Sequence, residues 1–136
     1  MAQAPKVHSI SRRRGTVAIE YAIVLPVLLL FLLGIMDVGR LLWTYSTIHR
    51  ASNSAARCAA IQAPSCATFG ATQNFAAAEA WGLTIAASAF TVSNQACGVQ
   101  VIASFTFGFV IPWLSVVAPF GSSNSIPLTA TACYPS

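Results

Sequence analysis

The sequence predicts an α+β protein, in which a long N-terminal helix crosses a membrane once and continues outward to a small domain of one short helix and a three-stranded antiparallel sheet. Two observations lead to this class. An apolar segment near the N-terminus has the length of a membrane span. The second half of the chain has short apolar segments rich in strand-forming residues and separated by turn residues. We therefore divide the chain into a basic leader at 1–15, a long helix at 16–62 and an exported domain at 63–136.

Composition limits the class of protein. Of the 136 residues, 56% are hydrophobic and only 7% are charged, which is typical of a membrane protein or a small membrane-anchored domain. The net charge of +4 belongs to the leader, because three arginines balance three carboxylates after Gly15. The leader has no aromatic residue and no base-reading motif, so we expect no nucleic acid partner.

The candidate membrane span covers about 21–43 and is interrupted by the charged residues Asp37 and Arg40. As a helix these twenty-three residues extend about 34 Å, enough for a hydrocarbon core of about 30 Å. Four basic residues closely precede the span and two, Arg50 and Arg57, closely follow it, which places the N-terminus in the cytoplasm. A cleaved secretory signal peptide is the alternative, but no small-residue cleavage site follows the apolar residues.

Beyond the span the helix should continue to about Gln62. Residues 44–61 contain no Gly or Pro, and Pro64 disfavours helical angles in the residue before it. Trp43 and Tyr45 should lie at the outer membrane interface, where aromatic residues contact lipid headgroups. The spacing predicts that one helix face contains Leu41, Tyr45, Ile48, Ala55 and Ala59.

In the exported domain, residues 71–81 predict a short helix with Gly82 at its C-cap position. Phe75, Ala78 and Trp81 have the spacing of one face of this helix. Three antiparallel strands are predicted at 89–93, 97–109 and 126–134, with Asn94 and Gln95 in the first turn.

Four cysteines should stabilise this small domain. All four fall on the oxidising side of the membrane, where an even number indicates two disulfides with three possible pairings. If the second and third strands pair antiparallel, Cys97 comes opposite Cys133, and the sequential pair Cys58 and Cys66 closes the helix exit. A zinc site is the rival hypothesis, but the spacings resemble no zinc motif.

No catalytic, cofactor or metal site is expected, because the residues after Gly15 lack a nucleophile motif and contain a single histidine. The close charge pair, Asp37 and Arg40, either neutralises itself at the outer interface or contacts a helix of another subunit. The apolar loop 110–120 either packs on the sheet or forms an interface for a partner subunit or the outer leaflet, and we favour the partner. Its candidate interface residues are Trp113 and Phe120.

A set of motifs in the first helix resembles one known family. Residues 14–61 are similar to the N-terminal domain of TadE-like proteins, minor pseudopilins of the Flp or tight-adherence pilus system. The motifs that support the resemblance are Gly15, Glu20-Tyr21, Pro26, Gly34, Asp37-x-Gly39-Arg40 and Ala56-Arg57. The resemblance implies a pilin-like fold and a structural, non-enzymatic role in pilus assembly.

The resemblance also implies a processing site. A prepilin peptidase would cut between Gly15 and Thr16 on the cytoplasmic side, and Glu20 would then meet the N-terminal amine of a neighbouring subunit. The implied partners are this peptidase, other pilin and pseudopilin subunits and the assembly platform of the bacterial inner membrane. The exported domain would be periplasmic or extracellular, and it stays open whether the chain enters the filament or only primes it. The alternatives are an uncleaved anchored accessory protein of the same system and a secreted, disulfide-bonded binding domain.

Overall fold

A computed structural model of the chain describes residues 11–110 and 124–135, with side chains from residue 18 onward. The chain forms two compact units, Met1–Ile35 and Met36–Ser136. The first helix, α1, extends over Ser11–Ala60 and contains Pro26 without ending there. It begins earlier than the predicted residue 16, since Ser11 is a residue that favours a helix start and the arginines after it favour a helix interior.

The first helix has the length and composition of a membrane span. The span candidate is Ala18–Ala60, and its most apolar 18-residue window has a mean hydropathy of 2.5 with only 6% of that window buried. A core helix of a soluble protein is mostly buried, whereas the side chains of residues 18–33 are all exposed. This helix is therefore compatible with a single-pass membrane anchor, although a signal sequence would have similar properties.

The second unit contains the outer part of α1 and all other elements. A short 3-10 turn at Pro64–Cys66 leads to α2 at Phe69–Glu79. A second 3-10 turn at Ala87–Ala89 precedes the three strands, β1 at Phe90–Gln95, β2 at Gly98–Gly108 and β3 at Ser125–Tyr134. The strands form one antiparallel sheet in the order β1-β2-β3. The predicted α+β class is confirmed.

Small side chains on α1 build the main core. Ile48, Ala51 and Ala55 are fully buried and belong to one cluster with sheet residues that include Phe90 and Val101. Their spacing of three and four residues places them on one helix face. Ile48 and Ala55 were predicted on this face. Tyr45, also predicted on this face, is 46% exposed, and its neighbour Thr44 is buried.

The second helix buries mainly small residues. Its buried residues are Thr72 and Ala76, and Ala80 is buried at the C-cap, whereas Trp81 is 72% exposed. Trp81 was predicted on one helix face with Phe75 and Ala78, but α2 ends at Glu79, so Trp81 lies outside the helix. Phe75 is partly buried and packs against the main core. Gln73 donates a 2.7 Å hydrogen bond to the carbonyl of Phe90, which ties α2 to the start of β1.

A tight hairpin joins the first two strands. Gln95 pairs with Gly98, so the turn residues are Ala96 and Cys97 rather than the predicted Asn94 and Gln95, which belong to β1. Gly98 has a φ of 115°, and a Cβ on it would overlap the carbonyl oxygen of Tyr134. Both the backbone angle and the close approach require glycine at this position.

Two disulfides connect the elements, and they are the expected pairs. Cys58 at the end of α1 bonds Cys66, with 5.8 Å between their Cα atoms, and Cys97 bonds Cys133 with 6.2 Å. The expected register was wrong in detail, since Cys133 pairs with Gln100 in the sheet. Cys97 reaches Cys133 from the hairpin turn, which the Gly98 backbone directs back toward the end of β3.

Candidate functional site

The residues of the proposed processing site lie in the first unit. Gly15 and Thr16 both lie within α1, so the bond between them is helical in this structure. Glu20 and Tyr21 follow one helical turn later, and both are exposed. Among the side chains that the structure describes, from 18 to 110 and from 124 to 135, none forms an ion pair with Glu20.

This arrangement leaves a carboxylate at the start of an apolar helix without a cationic partner within the described part of one chain. A charged group placed at the edge of lipid is unfavourable unless it is paired or reaches water. Glu20 is therefore available for a cation from outside the described chain.

The second charged site, the Asp37 clamp, joins α1 to the end of β2. Arg40 donates from Nη1 to Asp37 Oδ1 at 3.0 Å, and the backbone N–H of Val110 donates to Asp37 Oδ2 at 3.0 Å. The Asp37 side chain is only 2% exposed, whereas that of Arg40 is 51% exposed. The bond between Val110 and Asp37 thus joins residues that are 73 positions apart in the chain.

An aromatic cluster surrounds this clamp. The Arg40 guanidinium lies 5.4 Å from the centre of the Phe107 ring, a cation–π contact, and Phe107 meets Phe109 edge to face at 5.3 Å. The side-chain nitrogen of Asn124 donates to the Phe109 carbonyl at 2.8 Å, and the backbone carbonyl of Asn124 accepts from the Phe109 N–H at 3.1 Å. These bonds hold the two ends of the β2–β3 connection together next to the clamp.

Sequence reasoning paired Asp37 with Arg40 but did not find Val110. A signal for the burial of Asp37 was present, because Asp37 lies four, seven and eleven residues before Leu41, Thr44 and Ile48. All of these lie on the face of α1 that packs on the domain. No local sequence pattern predicts the contact of Asp37 with Val110.

Two cavities lie beside α1 in the second unit. One, of about 310 Å³, is lined by Trp43, Arg50, Glu79 and Trp81, together with Ser46 and Thr47. The other, of about 530 Å³, lies between the α1 segment from Met36 to Thr44 and the Gly82–Leu83 turn. Trp43 lines both cavities, and the two together are here called the Trp43–Trp81 groove. Sequence reasoning placed Trp81 inside the second helix, whereas it follows α2, and missed this groove.

Two further sets of residues from the sequence analysis are the candidate interface residues of the apolar loop and the possible metal ligands. Trp113 and Phe120 lie outside the described residues. Within the described residues, no three His, Cys, Asp or Glu side chains lie together as metal ligands would. His49 instead lies next to Asn53, whose side-chain nitrogen is 2.9 Å from His49 Nδ1 and donates to the His49 carbonyl.

Comparison with known proteins gives one match, to the first helix. The sequence model of a family described as TadE-like protein matches residues 15–57. No curated protein and no solved structure matches the chain. The matched residues include Gly15, Glu20, Asp37, Arg40 and Arg57, the positions on which the resemblance to this family rested. The resemblance is confirmed for this segment, and residues 15–57 form the TadE-like part of the chain.

Proposed function

We propose that this protein is a TadE-like minor pseudopilin that supports assembly of a thin adhesive pilus. The single observation that carries the proposal is the family match over residues 15–57, which suggests involvement in the tight-adherence pilus system. The match begins at the proposed cleavage residue and extends through the apolar helix into the folded domain. The role is structural, and we propose no reaction for it.

The proposed location is the bacterial inner membrane, with the N-terminus in the cytoplasm and the second unit in the periplasm or outside the cell. The basic leader before the span supports this orientation. The disulfides Cys58–Cys66 and Cys97–Cys133 support it as well, because such bonds persist in oxidising compartments. Incorporation into the pilus would follow extraction of α1 from the membrane.

The proposed processing step is a cut between Gly15 and Thr16 by a prepilin peptidase. A protease binds its substrate in extended form, so the end of α1 has to unwind around this bond. Glycine is a poor helix former and adopts extended angles freely, which lowers the free energy needed for unwinding at Gly15. The cut removes the leader and creates an ammonium group on Thr16.

The new ammonium group supplies a cation for Glu20, which has none among the described side chains. In our proposal it pairs with Glu20 of a neighbouring pilin or pseudopilin subunit on the assembly platform. Removing one member of a buried ion pair costs about 3–5 kcal/mol, and less where water reaches the pair. Assembly would therefore depend on cleavage, because the pair cannot form while the leader is attached. Trp113 and Phe120 stay a proposed contact for the same partners.

One observation favours the second candidate, an uncleaved anchored accessory protein of the same system. In this structure α1 passes through Gly15 and Thr16 without interruption. Such a helix suits a permanent anchor, in which Glu20 reaches the headgroup layer and needs no partner.

The mature mass of the protein made in a pilus-forming cell with its own peptidase tests both candidates. A chain that starts at Thr16 supports the pseudopilin, whereas a chain that starts at Met1 supports the anchor. Gly15→Leu should accumulate at full length, because the side chain obstructs the protease cleft. Gly34→Leu is the matched control: a Cβ at Gly34 meets no atom within 4 Å, so this variant should be cut normally.

Glu20→Ala separates assembly from processing. It leaves the bond after Gly15 intact but removes the partner of the Thr16 ammonium, so we expect at least partial cleavage and a loss of pili. Glu20→Asp keeps the charge and should restore part of the piliation. If wild-type protein keeps its leader in piliated cells and both Gly15→Leu and Glu20→Ala assemble normal pili, the pseudopilin proposal is wrong.

A further inference from the structure

Two tryptophans that are distant in the sequence lie on one exposed surface. Trp43 on α1 is 62% exposed, Trp81 after α2 is 72% exposed, and both line the same cavity of the Trp43–Trp81 groove. Large exposed apolar patches on folded domains mark contacts with another surface. Met36 on α1 is 65% exposed and lines the second cavity of the same groove.

The turn after α2 brings Trp81 to α1. Gly82 has a φ of 77°, a backbone angle that glycine adopts without strain, and it directs Leu83 to the second cavity of the groove. Gly82 and Leu83 there face the α1 segment from Met36 to Thr44. The turn Trp81–Leu83 therefore lies beside the last two turns of the span predicted from sequence, 21–43.

This position bears on where the membrane ends. A folded turn with its backbone polar groups does not lie in hydrocarbon beside a lipid-exposed helix. The helix from Ala18 to Ile35 alone extends about 27 Å, close to the hydrocarbon thickness of about 30 Å. Hydrocarbon can thus end near Met36, where the second unit begins. Residues 36–43 then pass through the headgroup layer.

Tryptophan suits that layer, because its ring is apolar and its N–H can donate to lipid headgroups and to water. Trp43 is seven residues after Met36, about 10 Å along the helix. Side chains on a helix tilt toward its N-terminus, which for Trp43 is toward the span. Arg50 and Glu79 line the same cavity with opposite charges, so the contact does not depend on anionic lipid.

We propose that the turn Trp81–Leu83 is a second membrane contact, which rests with Trp43 in the headgroup layer on the exported side. The occupant of the Trp43–Trp81 groove is therefore lipid, not a protein partner. This inference rests on the membrane anchor of the proposed function but not on cleavage or on pili. The contact holds the exported domain close to the membrane while α1 is inserted.

Fluorescence quenching of the full-length protein in phosphatidylcholine vesicles tests the proposal. Trp43→Phe and Trp113→Phe together leave Trp81 as the only tryptophan. Two reference proteins lack all three native tryptophans and carry instead Phe31→Trp in the span or Phe69→Trp at the start of α2. Phe69 is 51% exposed and about 15 Å along the helix from its C-terminal end at Glu79. Circular dichroism should show the same helix and sheet content in every variant.

Each protein is mixed with lipids that carry a nitroxide at a shallow or deep acyl position, or with iodide in the water. Trp81 should lose more emission to the shallow nitroxide than to the deep one and should be protected from iodide. The tryptophan of Phe31→Trp should respond most to the deep nitroxide, and that of Phe69→Trp to iodide.

The possible contrary results have different meanings. If iodide quenches Trp81 as it quenches the Phe69→Trp protein, while the Phe31→Trp protein responds to lipid, the turn lies in water and only the anchor stands. If Trp81 is protected from iodide and from both nitroxides, a protein surface such as a second copy covers the groove, and the lipid contact is refuted. If the Phe31→Trp protein shows no lipid quenching, the anchor and this inference both fail.

Discussion

Replacing Asp37 by alanine should release the connection between α1 and the end of β2. The substitution removes the bond to Arg40 and leaves the Val110 N–H without its acceptor. A hydrogen bond to a charged group contributes about 1.5–3 kcal/mol, and we assign that amount to the partly buried Val110 bond. The Arg40 bond contributes at most about 1 kcal/mol, since half of the arginine is in solvent. The expected loss is roughly 2–4 kcal/mol.

Thermal unfolding of the full-length protein in detergent, followed by near-ultraviolet circular dichroism, measures this loss. For a domain of about 100 residues, 1 kcal/mol corresponds to roughly 4–8 °C, so Asp37→Ala should lower Tm by roughly 8–32 °C. Asp37→Asn retains an oxygen that can accept from Val110, and its Tm should fall less. Glu79→Ala is the matched control, because this carboxylate makes no described hydrogen bond, and its Tm should change by no more than a few degrees.

Two results would refute this account of Asp37. If Asp37→Ala unfolds at the same Tm as Glu79→Ala, the Asp37 carboxylate adds nothing to the stability of the isolated chain. Asp37 would then serve contacts between subunits, the other hypothesis that the sequence left open. Equal losses for Asp37→Ala and Asp37→Asn would mean that the bond to Val110 does not clamp the strand.

Three further predictions use the same melting assay, or urea unfolding where disulfides change. Gly98→Ala should lower the free energy of unfolding by about 3 kcal/mol or more, because of the positive φ of Gly98 and the overlap of the new Cβ with β3. Gly70→Ala, which has free space in α2, should raise this free energy by about 0.5–1 kcal/mol. Equal effects of the two substitutions would contradict the hairpin geometry. Ser52→Ala should raise Tm, since this hydroxyl is fully buried and has no hydrogen-bond partner within the described residues; a fall would reveal a partner. Cys97→Ser should cost about 4 kcal/mol and Cys58→Ser about 2.5 kcal/mol, because their bridges close loops of different length; the reverse order would mean that strain outweighs loop entropy.

Local patterns predicted most of the elements. The apolar segment and the absence of Gly and Pro after it predicted α1, whose end at Ala60 is within two residues of the expected one. The β-branched and aromatic residues of β2 predicted a strand that begins and ends within one residue of the observed Gly98–Gly108. These features depend on residues that are close together in the sequence, so local sequence patterns can predict them.

Features that depend on close packing were predicted poorly. The sequence analysis predicted a Phe75, Ala78 and Trp81 face for α2, but the helix ends before Trp81 and its fully buried residues are Thr72 and Ala76. The Cys97–Cys133 bridge was expected from direct cross-strand pairing, yet it forms through a turn whose shape depends on Gly98. The bond from Val110 to Asp37 joins residues 73 positions apart and leaves no periodic pattern.

The surface of α1 changes character at Met36, and this change explains how one helix can serve two environments. Before it, the described side chains are nearly all exposed, as lipid contact requires. From Asp37 onward, one face packs on the domain through a polar clamp and then through small residues such as Ala51 and Ala55. The described contacts of α1 in the clamp and in the main core all come from Asp37 onward, so the helix provides a packed face within the second unit, whereas its described side chains before Met36 provide an exposed apolar surface.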